Sequence, residues 1–117
     1  MGDFVFLSGV GPRQPITNDI PGGPIKDESG NPLNYDIRAQ TEACILNIEA
    51  FLKSSGAGLA DIIDVTSFLI DMDRDFEGYN EVYARFFTDI QATRTTLAIS
   101  ALPTPIAVEM KVIANLG

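Results

Sequence analysis

Between residues 37 and 87 the chain alternates helical and extended patterning in a way that leaves few folds open. Ile37, Thr41, Cys44, Ile48, Phe51 and Leu52 recur at helical spacing, with Asn34 as a predicted cap and Gly56 as a predicted stop. Asp61–Ile70, DIIDVTSFLI, is rich in β-branched residues and has the length of a well-buried strand, closed by Asp71 and Asp73. Phe76, Tyr79, Val82, Tyr83, Phe86 and Phe87 then form a second helical stripe, with Glu77, Asn80, Glu81 and Arg85 mostly off it. Helices that are apolar along one side only must bury those sides together, and the strand between them predicts that they do so on a sheet.

The flanks supply the rest of that sheet. DFVFLS at Asp3–Ser8 alternates, placing Phe4, Phe6 and Ser8 on one face, Val5 and Leu7 on the other, and ends at Gly9. Arg94–Ala101 and Ile106–Asn115 read as strands joined through LPTP, a hairpin with a proline-stiffened turn. In the last strand Ile106, Val108, Met110, Val112 and Ala114 share one face, and Ala107, Glu109, Lys111 and Ile113 the other. From Gly9 to Asn34 the chain holds five of its seven prolines and five of its ten glycines, a loop with room for a short strand around Pro24–Asp27 before the turn ESGNP. Loops this long without secondary structure are usually functional or disordered. With 117 residues, 45% of them hydrophobic, no repeat and no linker, residues 1–117 are expected to form one α+β domain, two helices on one face of a mixed sheet.

Composition removes whole classes of chemistry. The formal net charge of −8 repels phosphate backbones and anionic membrane surfaces, so neither nucleic acid nor membrane is an expected partner. A small anionic substrate would need a local cationic pocket, which gives the arginines their interest. The absence of histidine excludes Ser-His-Asp and Cys-His nucleophile systems and imidazole metal sites. Cys44 is the only cysteine and reads as a small core residue. The start, MGDFVFLSG, shows no basic leader, and no window is long and apolar enough to span a bilayer, so a cytoplasmic protein is expected.

Period-two geometry puts Arg94, Thr96, Ala98 and Ser100 on one face of their strand. If that strand pairs with the last one around LPTP, Arg94 lies near the latter's far end, and Arg94 and Glu109 can share one face near a sheet edge. Spacing by itself favours an ordinary cross-strand ion pair over a catalytic one.

The segments FVFLSG, DFEGYNEVYARFF and RTTLAISALPTPIAVEMKVIA, in this order, resemble the characteristic blocks of the Rid (YjgF-like) family. That family closes with an Arg and, fifteen residues later, a Glu, positions held here by Arg94 and Glu109. The resemblance spans nearly the whole chain except the proline-rich loop. It implies a chorismate-mutase-like fold, a homotrimer with a central barrel, and sites between subunits where 2-imino acids are hydrolysed to 2-oxo acids and ammonia without metal or organic cofactor. The matching positions are Ser8, Asn80, Arg94, Thr96 and Glu109. Two departures bear on substrate fit: Thr96 stands where the family often has Cys, and the family's Tyr upstream of the first strand falls in a segment this chain lacks.

On this resemblance Arg94 would fix the substrate carboxylate bidentately, and Glu109 would deprotonate a water and return a proton to nitrogen as ammonia leaves. Ser8 and Thr96 would donate hydrogen bonds. GPR at 11–13, the long loop, YDIRAQT and DMDRDFEGYN look like the branch of 2-aminomuconate deaminases, whose substrate carries a second carboxylate. Arg13, five residues beyond Ser8, is the candidate to hold it, with Arg38 next in line. The alternatives are a general 2-iminobutanoate or 2-iminopropanoate deaminase and a non-catalytic trimer that binds a carboxylate metabolite.

Overall fold

The computed structural model describes residues 3–117. Strand β1 (Phe4–Val10) leads through the long loop to helix α1 (Ile37–Ser54), strand β2 (Ile62–Leu69), helix α2 (Met72–Phe87) and strands β3 (Thr93–Ala98) and β4 (Val108–Asn115). The four strands form one mixed sheet in the order β1-β4-β2-β3. β4 runs antiparallel to both β1 and β2, and β3 runs parallel to β2. This is the expected α+β class.

Both helices cover one face. Ile45, Ile48 and Leu52 of α1 and Tyr79 of α2 are fully buried against Val65, Leu69, Val108, Met110 and Val112. Each large aliphatic side chain so buried contributes roughly 1.5–3 kcal/mol. The predicted alternation of β4 holds: Val108, Met110, Val112 and Ala114 are buried, while Glu109, Lys111 and Ile113 point away from the helices. Phe4 and Phe6 of β1 lie on that second, uncovered face and are exposed, as is Leu97 of β3.

Three local expectations change. Helix α1 is capped by Asp36, whose carboxylate accepts from the Arg38 and Ala39 amides; Asn34 lies before it and accepts from Arg74 Nη2 at 3.0 Å. Asp36 wins because Tyr35 turns inward, its hydroxyl bonded to the buried Asp75 carboxylate. Gly56 does end the helix, at φ +81°. The short strand near Pro24–Asp27 reduces to a single bridge, Lys26 to Pro32, around the Asp27–Asn31 turn.

The third change is topological. β3 and β4 do not form a hairpin: β2 lies between them, with Leu69 paired to Ala98 on one side and Val108 on the other. The chain from Ile99 to Ala107 crosses the end of β2. Its amides find partners elsewhere, Ile99 N on Leu69 O and Ala107 N on Gln40 Oε1, so the proline-rich link needs no cross-strand ladder.

The loop of residues 11–34 is held by helix α1. Buried Gln40 donates to Gly23 O at 2.9 Å, and Asn47 Nδ2 bonds Gly11 O and Arg13 O at 2.9 and 3.0 Å. Ile25 and Pro105 join the loop to the β3–β4 crossing.

Candidate functional site

Arg94 and Glu109 occupy opposite faces of the sheet. Arg94 pairs across β2 with buried Val65 and so points to the helix side, whereas Glu109 pairs with Phe68 on the uncovered side. The expectation that they share a face fails, because it depended on the hairpin. With β2 between their strands, the side of each is set by its register against β2.

The Arg94 side is built by α2 over edge strand β3. Arg94 Nη1 donates to Asn80 Oδ1 at 2.7 Å, and its guanidinium carbon lies 4.6 Å from the Tyr83 ring centroid, 5.8 Å from Tyr79 and 6.0 Å from Phe76. The ring faces and one amide hold the guanidinium without neutralising it, leaving donors for an anion. Thr96 is on the same face, its hydroxyl 3.2 Å from Tyr79 Oη, which donates to Ser67 Oγ at 2.6 Å. Burial first, then the Tyr79 phenol, outweigh Arg94's downward pull, and with a further contribution from Asp64 the Tyr83 phenol is pushed up to about 12.

The Glu109 side is built where β1 breaks register. Leu7 pairs with Val112 and Val10 with Met110, so Ser8 and Gly9 together oppose Lys111 in a bulge. Gly9 has φ +71°, and a Cβ there would stand 3.1 Å from Glu109 Oε1. The bulge therefore requires glycine twice over, for its backbone and for the carboxylate above it. Among the described residues neither Glu109 oxygen has a hydrogen-bond or salt-bridge partner. Cys44, fully buried as expected, bonds Val10 O at 3.0 Å; burial, and then the charge of Glu109, push its thiol far up, so it stays protonated.

Beside the bulge is a cavity of about 370 Å³ whose lining includes Ser8, Gly9, Arg13, Asn47, Phe6 and Phe51. Ser8 and Arg13 thus border one space. Phe51 borders it too, as a half-exposed rim residue instead of the core position its stripe suggests. Three of the five arginines are matched by carboxylates: Arg38 with Glu81, Arg74 with Asp75 and Arg85 with Glu42. Arg38, engaged through Nε and Nη2, stands outside this cavity. Among the described residues Arg13 and Arg94 alone of the arginines have no carboxylate, Arg13 bonding only the Asn18 carbonyl at 3.0 Å. No three Cys, Asp or Glu side chains among the described residues converge as metal ligands would.

Sequence reading passed over Gly9, Asn47, Tyr79 and Tyr83 as site-forming residues. Asn47 had a signal: Gln40 and Asn47 are polar residues seven apart on a helix side that otherwise faces the core or the loop. Tyr79 and Tyr83 were read as core stripe, which they are; their second role depends on where β3 docks.

A family model described as Endoribonuclease L-PSP matches residues 1–116. A RutC family protein of Pyrococcus abyssi is 36% identical over 114 residues, covering 97% of this chain and 80% of its own. The chain belongs to the Rid, or YjgF-like, family. Another Rid relative, Escherichia coli TdcF, provisionally named a reactive intermediate deaminase, is 32% identical over 117 residues, covering 97% of this chain and 80% of its own. The crystal structure of TdcF with bound serine matches at a TM-score of 0.80 and 32% identity over 100% of this chain and 84% of that one. The E. coli YjgF structure matches at 0.80 and 27% identity over the same shares. The mixed four-stranded sheet with two helices is thus the Rid fold.

Proposed function

We propose that this chain is a deaminase hydrolysing carboxylate-bearing imines, and enamines through their imine tautomers, at sites shared between neighbouring subunits of a homotrimer. The observation that carries this reading is the position of the two half-sites at opposite ends of the sheet. Arg94 and Thr96 are on edge strand β3, while Ser8 and Gly9, with Glu109 beside them, are at the β1 edge. Copies packed around a central barrel, with the β3 edge of one set at an angle against the β1 end of the next and not continuing its ladder, would let a guanidinium on the helix side of one sheet meet a carboxylate on the uncovered side of its neighbour. The exposed Phe4, Phe6 and Leu97 on the uncovered face are the surface such a barrel would bury.

In the joined site Arg94 grips the substrate carboxylate and leaves the electrophilic C=N carbon facing Glu109. Glu109 takes a proton from water as the water oxygen bonds that carbon and passes it to nitrogen, giving the carbinolamine; it then takes the hydroxyl proton and delivers it to nitrogen as the C–N bond breaks, yielding 2-oxo acid and ammonia. The name of TdcF and its serine-bound structure support an amino-acid-sized carboxylate ligand. The net charge of −8 speaks against the ribonuclease activity in the family description.

Arg13 favours a narrower version, in which the substrate carries a distal carboxylate, as 2-aminomuconate does. A cavity bordered by Ser8 and a guanidinium without a carboxylate partner suits that group.

Mixing two variants tests the shared site, at substrate concentrations too low for Arg94→Ala alone to be occupied. Arg94→Ala and Glu109→Gln subunits, co-refolded in equal amounts, should recover about a quarter of wild-type ammonia release, the share of interfaces combining an intact Arg94 with an intact Glu109. No recovery, or a monodisperse monomer in sedimentation, defeats the intersubunit site; full binding of 2-oxo acids with no turnover on any imine would favour a non-catalytic binder.

A further inference from the structure

Behind Thr96 lies a chain of hydroxyls that its role as a simple donor leaves unexplained. Tyr79 and Ser67 are both fully buried, under the strand position that brings Thr96 to the sheet edge. Tyr79 Oη donates to Ser67 Oγ at 2.6 Å. A phenol has one proton, so the 3.2 Å contact between Tyr79 Oη and Thr96 Oγ1 is a hydrogen bond only if Thr96 donates it. The geometry makes Tyr79 the donor to Ser67 and not the reverse, so the single phenol proton is spent inward. The proton of Thr96 is therefore committed inward, and the outward side of its oxygen carries lone pairs alone.

We propose that Tyr79 is a positioning residue that fixes Thr96 as a hydrogen-bond acceptor, so that the site reads the N–H of an imine substrate and turns away the keto oxygen of the 2-oxo product. The proposal rests on Arg94 anchoring the carboxylate as described above. Thr96 follows Arg94 by two residues on the same face, about 7 Å along the strand, so a group on the carbon next to the anchored carboxylate falls between them. An imine or protonated iminium presents N–H to Thr96 and is held. A ketone presents only an acceptor, and two acceptors facing each other in a partly closed site leave both unpaired. Substrate and product differ at this one atom pair, and Thr96 so oriented favours capture of the first and release of the second. On this proposal Thr96 accepts from the substrate, where the family resemblance implies a donor.

Binding of L-alanine, pyruvate and propionate to the full-length protein, by calorimetry, tests this without turnover. The three share a carboxylate and size, and offer an N–H donor, an acceptor and neither. Wild type should prefer alanine to pyruvate, each referred to propionate. Tyr79→Phe frees the Thr96 proton to turn outward, and the alanine-to-pyruvate preference should fall roughly five- to tenfold. Thr96→Val, a nearly isosteric change at a half-buried edge position, should lose the preference equally while the protein still folds cooperatively. An unchanged preference in both variants overturns the proposal, and if Tyr79→Phe fails to fold, Thr96→Val decides. Arg94→Ala separates the two readings. Loss of all three ligands there, with an unchanged preference in the other variants, overturns the hydroxyl inference alone. Unchanged affinity in Arg94→Ala overturns the carboxylate anchor and this proposal with it.

Discussion

The two edges of the sheet are built on opposite plans. At the β3 edge Arg94 is held by an amide and three aromatic rings supplied by a helix packed over the strand. At the β1 edge Glu109 stands over a glycine bulge, with no partner for its oxygens among the described residues. A guanidinium that must meet a carboxylate gains from being oriented beforehand, since its orientation entropy is lost in folding and not in binding. A carboxylate that must take up and release a proton gains from few fixed hydrogen bonds, each of which would favour one protonation state. On the proposed function, the contrast is between an edge organised for capture and one left free for proton transfer.

The largest expected effect separates those two jobs. Glu109→Gln should lower kcat by roughly 10²–10⁴-fold with the oligomer intact, the usual weight of a general acid–base group. Arg94→Ala should mainly raise KM. Steady-state ammonia release on 2-iminobutanoate reads both. A Glu109→Gln protein keeping more than about a tenth of wild-type activity, a loss under roughly 1.4 kcal/mol, would remove Glu109 as the base. Equal loss of kcat in both variants would erase the contrast.

How much of this was legible in the sequence follows the same division. The helices, the strand cores and the faces of β1 and β4 could be read because period and apolar side are local facts. The placement of Arg94 could not. LPTP between two alternating segments is the pattern of a hairpin, and nothing within those residues reveals that β2, some thirty residues earlier, takes the position between them. Strand order is decided by long-range pairing, and with it went the face of Arg94 relative to Glu109. The bulge at Ser8–Gly9 lay in between: a glycine ending a strand was visible, but not the carboxylate over it. The family blocks identified Arg94, Asn80, Thr96, Ser8 and Glu109 together without saying that one protomer keeps them apart.

Arg13 offers a way to sharpen the β1 edge. A partly desolvated guanidinium–carboxylate contact is worth about 1.5–3 kcal/mol, so Arg13→Ala should lower kcat/KM for 2-aminomuconate roughly ten- to a hundredfold. Activity on 2-iminobutanoate should barely move. Equal losses on both substrates would mean that Arg13 only supports the loop through its Asn18 contact.

A smaller effect is expected at the bulge itself. Gly9→Ala puts a Cβ at φ +71° and 3.1 Å from Glu109 Oε1. The backbone cost is about 1–2 kcal/mol, read as a lower melting temperature. Activity should fall further than that loss explains, because the carboxylate must shift. A variant that melts early yet turns over normally would show that the position of Glu109 is not critical.

The smallest effect belongs to the β3 edge and concerns Tyr83. Its ring lies under Arg94, but its buried hydroxyl has no hydrogen-bond partner among the described residues. Burial without a partner disfavours the phenolate, and the phenol's pKa is raised from 10.0 to about 12. The native state then keeps this proton at pH values where the unfolded chain has lost it, so the unfolded state binds fewer protons and stability falls as pH rises. The contribution is complete below about pH 10 and declines toward pH 12. Tyr83→Phe keeps the ring under the guanidinium and removes the unpaired oxygen. It should raise stability at neutral pH by up to about 1 kcal/mol and flatten part of the alkaline decline. The remainder belongs to Tyr35, whose phenol is raised by burial first and then by its hydrogen bond to Asp75, and to Cys44, whose thiol is raised by burial and then by the charge of Glu109. Urea melts of both proteins from pH 7 upward, with kcat/KM at pH 7, make the comparison. If Tyr83→Phe instead loses activity at pH 7, the hydroxyl helps to place the ring under Arg94, and the β3 edge needs more than the ring itself.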